Sequence, residues 1–280
     1  MGTESNWSAR RPPGAVLLAL LCASCAGAPR GAPELASRSP AARASAFDHV
    51  AEIAGQEGDD AVAERLYRRA MADRPGWAEP HVGLGRLLLR RGDLDGARAQ
   101  FDAAARLAPG EGGPAAGLAA VMLAEHRPGQ ALAGYAHALA LAPGDVAALN
   151  GAGVALDQLG RHADAQVRYH QVLARDPGNR AARNNLGLSL ALDGRAAEAV
   201  PVLSALAEGP AAVPRNRQNL ALALALVGRD QEAVAAASRD EAPAVARADV
   251  ALLEVLRRGV QPTALVAAAP SWPSPCWPCR

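Results

Sequence analysis

Residues 146–179, VAALNGAGVALDQLGRHADAQVRYHQVLARDPGN, decide the fold. Gly160 ends one helical pattern with a residue that tolerates positive φ, and Pro177 ends a second, which it cannot continue. Ala152-Gly153 lie in the first pattern and Ala165, Tyr169 and Val172 in the second: small or apolar residues where two helices approach, and one ring. The stretch predicts a hairpin of two helices. Its closing proline is one of four, Pro75, Pro109, Pro143 and Pro177, spaced 34 residues apart.

The pattern recurs with the proline. Counted from the first residue of each unit, apolar or small residues stand at positions 7 and 8, and a small residue at 20. An aromatic residue or Leu stands at 24, a small or apolar residue at 27, and Pro at 32. Unit 44–77 supplies Val50-Ala51, Ala63, Tyr67, Ala70 and Pro75; unit 78–111 supplies Leu84-Gly85, Ala97, Phe101, Ala104 and Pro109. Unit 112–145 supplies Leu118-Ala119, Ala131, Tyr135, Ala138 and Pro143. Two looser units follow: 180–213, with Leu186-Gly187, Ala199, Leu203 and Pro210, and 214–247, with Leu220-Ala221 and Ala233. A 34-residue unit of this kind resembles the tetratricopeptide repeat. The resemblance implies an all-α, right-handed superhelical solenoid of about six helical hairpins. Such hairpins bury their apolar faces only against neighbours, so the open end needs a cap. Val245, Asp249, Leu252, Leu253 and Leu256 give that cap a helical pattern, stopped by Gly259 and Pro262. The expected organisation is a signal segment at 1–25, a tether at 26–43, repeats over 44–247, a capping helix at 248–260 and a Pro-rich disordered tail at 261–280.

Composition agrees. Half of the 280 residues are apolar but only 3% are aromatic, as close-packed helices rich in alanine allow. The net charge of +1 provides no field that favours nucleic acid.

Arg10 and Arg11 precede a short apolar run, Ala15 to Leu21, followed by small residues, which predicts export. The run is too short to span a bilayer, which takes ~20 apolar residues. Ala23-Ser24 before Cys25 resembles the lipobox of bacterial lipoproteins, although Cys22 stands where Leu is usual. That resemblance implies acylation at Cys25, and Ala26 after it favours the outer membrane. The other reading is ordinary cleavage near Ala26-Gly27-Ala28, which yields a soluble periplasmic protein. Residues 28–45, rich in Ala, Pro, Ser and Arg, read as a tether with an r.m.s. span of roughly 25 Å.

No catalytic constellation is present. His49, His81, His126, His137, His162 and His170 fall on different helices at no metal-ligand spacing and read as surface or groove residues. Cys276-Trp277-Pro278-Cys279 has redox spacing but no strand before it, and a single such pair makes no zinc site. The protein is expected to be a non-enzymatic scaffold without cofactor or metal. The basic residues of carboxylate-clamp repeats are unmatched, since Asp48, Glu52, Gly83 and Gly117 hold the inner positions. A polar row is the candidate site. Asn150, Asn184 and Gln218 occupy position 5 of successive units, and Asn185 and Asn219 position 6. Amides donate and accept together, so such a row can pair with the main chain of an extended peptide. Equally, the asparagines can cap or solvate the first helix.

Asn184-Asn185-Leu186-Gly187-Leu188-Ser189-Leu190-Ala191, Arg217-Gln218-Asn219-Leu220-Ala221-Leu222-Ala223-Leu224 and Ser238-Arg239-Asp240 resemble the TadD family of tight-adherence (Flp) pilus assembly lipoproteins. The resemblance spans roughly residues 10–258; the Pro-rich tail departs from it. It implies an outer-membrane lipoprotein, lying on the periplasmic face, that helps a pilus secretin assemble or localise. A periplasmic scaffold in envelope biogenesis or polysaccharide export is the alternative.

Overall fold

The computed structural model describes residues 39–209 and 211–259. The expected export segment with Cys25, the expected tether up to residue 38, Pro210 and the tail with Cys276 and Cys279 lie outside the described residues. Every regular element among the described residues is a helix. The chain forms two compact units that divide after Pro80.

In the first unit, α1 (Pro40–Glu57) packs against α2 (Asp60–Asp73). Helix α1 begins inside the stretch expected to be tether. Ser39 accepts a hydrogen bond from the Ala42 amide at 3.3 Å, and Pro40 takes the first helical position, where its missing N–H costs nothing. Arg43 ties the pair together through Asp73, 3.1 Å away.

Helix α3 (Glu79–Arg90) starts at the boundary. The second unit continues with α4 (Leu94–Leu107), α5 (Gly112–Ala124), α6 (Pro128–Leu141), α7 (Val146–Gln158), α8 (His162–Arg175), α9 (Arg180–Leu192), α10 (Ala196–Ala207), α11 (Pro214–Leu226), α12 (Asp230–Ala237) and α13 (Pro243–Gly259). From α4 onward each helix packs on its successor, and α5, α7, α9 and α11 also pack on one another. That is a stack of hairpins with α5, α7, α9 and α11 on one side. Helix α13 packs on both α11 and α12 and closes the series. It begins at Pro243, five residues before the expected cap, because α12 stops at Ala237 and Pro243 restarts the helix.

The repeat positions explain the packing. The alanines at position 20, Ala63, Ala97, Ala131, Ala165, Ala199 and Ala233, have no exposed surface at all. A larger side chain there would hold the two helices of a hairpin apart. The rings at position 24 of the second, third and fourth repeats need room, and glycine supplies it on one side or on both. A Cβ on Gly153, at position 8 of the same repeat, would lie 2.5 Å from the Tyr169 ring. The third repeat has Ala119 at that position, and Tyr135 is accommodated by Gly151 of the next repeat instead, where a Cβ would lie 2.2 Å from the ring. Phe101 has glycine on both sides, Gly85 and Gly117.

Candidate binding surface

The polar row lies on α7, α9 and α11. Its members reach one another across repeats. The Asn185 amide donates to Asn150 Oδ1 at 3.2 Å, and the Asn219 amide donates to Asn184 Oδ1 at 3.0 Å. Each bond joins position 6 of one repeat to position 5 of the repeat before. Asn216 adds a second donor to Asn184 Oδ1 at 3.0 Å, while its own Oδ1 accepts from the Val213 amide at 3.2 Å. Gln218 donates instead to Glu241, at 3.1 Å. Asn150, Asn184 and Asn219 are buried, and Asn185 and Gln218 half-buried. None of the five expected residues is a helix cap: Asp145 and Asn179 cap α7 and α9, accepting from Ala148 at 3.0 Å and Ala182 at 2.9 Å. The side chains therefore also link one first helix to the next, a role their spacing alone did not reveal. A buried amide needs partners, and the equivalent amide one repeat away is the nearest one available.

A second polar cluster joins α7, α8 and α9. Asp157 accepts from the Tyr169 hydroxyl at 2.7 Å and the Ser189 hydroxyl at 2.6 Å, and lies 2.9 Å from Nδ1 of His162. Three helices meet at this carboxylate: α7 gives the acid, α8 the histidine and tyrosine, and α9 the serine. Serine bonds to the acid, not to imidazole, so this is not a nucleophile-and-base relay. His162 is buried, against the expectation of a surface or groove position, because Asp157 satisfies it. The hydrogen bond to Asp157 raises the His162 pKa above the ordinary 6.5, with further support from the charges of Asp157 and Asp193, and burial opposes it. A neighbouring link repeats in register. Gln166 donates to Asp193 at 3.1 Å and accepts from Arg195 at 2.9 Å, while two repeats earlier Arg98 meets Glu125 at 2.5 Å.

In the first unit, burial pushes the Asp48 carboxyl up to about 6; the charges of Glu52 and Glu79 add to this, and His49 offsets it. No group of side chains among the described residues is arranged to hold a metal ion. No helix among them is long and apolar enough to cross a membrane.

A tetratricopeptide-repeat family model matches residues 56–121, and a second matches residues 156–214. This chain carries tetratricopeptide repeats. Solved structures share the fold. A chain of the APC/C hetero-tetramer Cut9–Hcn1 superposes with a TM-score of 0.68 at 17% identity, over 78% of this chain and 44% of that one. This protein thus spans less than half the length of that neighbour. A thermophilic tetratricopeptide-repeat protein of Thermus thermophilus gives 0.57 at 21% identity, over 65% and 98% of the two chains. PilF of Pseudomonas aeruginosa gives 0.55 at 15%, over 82% and 99%. No curated protein matches by sequence. Tetratricopeptide repeats form a scaffold for protein–protein interaction, a non-enzymatic fold. Sequence reasoning missed the Asp157 cluster within them, yet a signal existed. The other repeats hold Gly55, Leu89, Leu123, Ala191 and Ala225 at its position, so a lone carboxylate there demanded partners.

Proposed function

We propose that the protein is an exported lipoprotein, acylated at Cys25, that holds an extended segment of a tight-adherence pilus secretin at the periplasmic face of the outer membrane. The observation that carries this reading is the amide row from Asn150 to Asn219. Hydrogen bonding between repeats fixes the orientation of these amides before a partner arrives, which lowers the ordering cost of binding. Support for the secretin as partner comes from the segments at 184–191, 217–224 and 238–240, and for the anchor from residues 10–25.

The test is calorimetry of the full chain with overlapping secretin-derived peptides. At ~1 kcal/mol net for each lost hydrogen bond, the double variant Asn185→Ala/Asn219→Ala binds about tenfold to thirtyfold more weakly. It also melts a few degrees lower, because Asn150 Oδ1 loses its donor. Wild-type affinity in the double variant places binding elsewhere. The anchor is tested separately. Cys25→Ala releases the protein from membranes, and labelled palmitate enters the wild type alone; a variant that still fractionates with the outer membrane refutes acylation.

A further inference from the structure

Tyr135 sits on α6 at position 24 of the third repeat and is 2% exposed. With Ala119 closing the space on its own repeat, the ring leans onto the fourth. A Cβ built on Gly151 would lie 2.5 Å from the tyrosine hydroxyl oxygen. The hydroxyl therefore stands where a side chain at position 6 of the fourth repeat would begin. That position holds Asn185 and Asn219 in the next two repeats, the residues that form the rungs of the amide row.

Tyr169, one repeat later, has the same position and a different hydroxyl. Its hydroxyl is tied to Asp157 at 2.7 Å. The residue matching Asp157 in the third repeat is Leu123, which accepts nothing. Among the described residues the Tyr135 hydroxyl has no hydrogen-bond partner, and it is not one of the side-chain atoms sealed from water without one. The small exposed part of this residue thus includes its oxygen. One repeat earlier the ring beneath Gly117 is Phe101, which has no hydroxyl.

We propose that the Tyr135 hydroxyl is the first rung of the row and donates a hydrogen bond to a main-chain carbonyl of the bound segment. The inference rests on the reading of the row as a site for an extended peptide. Burial, reinforced by the Asp145 charge, holds the phenol pKa far above the physiological range, so the group stays a donor throughout. Packed helices stand ~8–10 Å apart, and an extended chain rises ~3.3 Å per residue. Successive rungs then meet carbonyls about three residues apart, and the row from Tyr135 to Asn219 spans a segment of roughly seven residues.

Tyr135→Phe removes one oxygen and no packing. Full chains of wild type, Tyr135→Phe, Tyr169→Phe and Asn185→Ala are titrated with the tightest secretin peptide. If no secretin peptide binds, the probe is a twelve-residue peptide selected from a random library on the wild-type chain. The expected result is an unchanged melt and about fivefold weaker binding for Tyr135→Phe, the value of one hydrogen bond. Tyr169→Phe lowers the melt and leaves affinity unchanged. Wild-type affinity in Tyr135→Phe beside weakened binding in Asn185→Ala overturns this inference alone, leaving a hydroxyl that serves only water. Library binding without secretin binding overturns the pilus partner but not the rung. No binding by either peptide set overturns the extended-segment reading and this inference together.

Discussion

His126 departs from the residue that its repeat position calls for. Position 15 closes the first helix of every hairpin in left-handed backbone, and five of the six repeats place glycine there: Gly58, Gly92, Gly160, Gly194 and Gly228, with φ from 72° to 86°. The third repeat uses His126, at φ 57°. A side chain in that region crowds the following carbonyl, at a cost of ~1–2 kcal/mol. The imidazole is exposed. His126→Gly is expected to raise the thermal midpoint, corresponding to a gain of up to ~1 kcal/mol once the extra freedom of glycine in the unfolded chain is subtracted. Gly160→His is expected to lower it by a similar amount. Equal melts for all three proteins would mean that position 15 carries no strain.

The junction of α7, α8 and α9 titrates. His162 faces Asp157 on α7, which the Tyr169 hydroxyl also meets, and feels the charge of Asp193 just beyond α9, to which Gln166 donates while accepting from Arg195. Its pKa is raised in the folded chain, so the native state binds the proton more tightly than the unfolded chain does. That contribution to stability is fully present below pH 6.5, the unfolded value, and disappears as pH rises through the folded value. Between pH 6 and pH 9 the melting temperature of wild type relative to His162→Gln should fall steadily. A constant difference, or one that grows toward alkaline pH, removes the linkage. The contrast between this junction and the hairpins around it shows what can be read from a linear pattern. The hairpins follow from local signals: Asp93 and Asn179 start helices, glycine at position 15 stops them, and alanine at position 20 lets them touch. The amide row was legible as a row, since one repeat length separates its members. That Asn185 bonds Asn150, and that Asp157 gathers groups from 12 and 32 residues away, depends on which way side chains lean once helices are stacked. No local spacing encodes that.

Across the second unit, the two-sided accommodation of the position-24 residues restricts how the chain can be spliced. Removing residues 112–145 joins the second repeat to the fourth, so that Phe101, with Gly85 behind it, meets Gly151 in front. Removing residues 146–179 joins the third to the fifth. Tyr135 then has Ala119 behind it and Asn185 in front, with no glycine on either side. Both deletions take out 34 residues and preserve the phase of every helix. The first should give a cooperative helical melt by circular dichroism; the second should melt lower by an overpacking cost of ~1–3 kcal/mol or fail to fold. Equal melts would show that the rings adapt. Repeats of identical length are therefore not freely interchangeable modules: one with alanine behind its ring, as the third has, accepts only a successor that brings glycine to position 6, whereas one with its own glycine, as the fourth has, sets no such condition, and insertion, loss or shuffling of a unit is filtered accordingly.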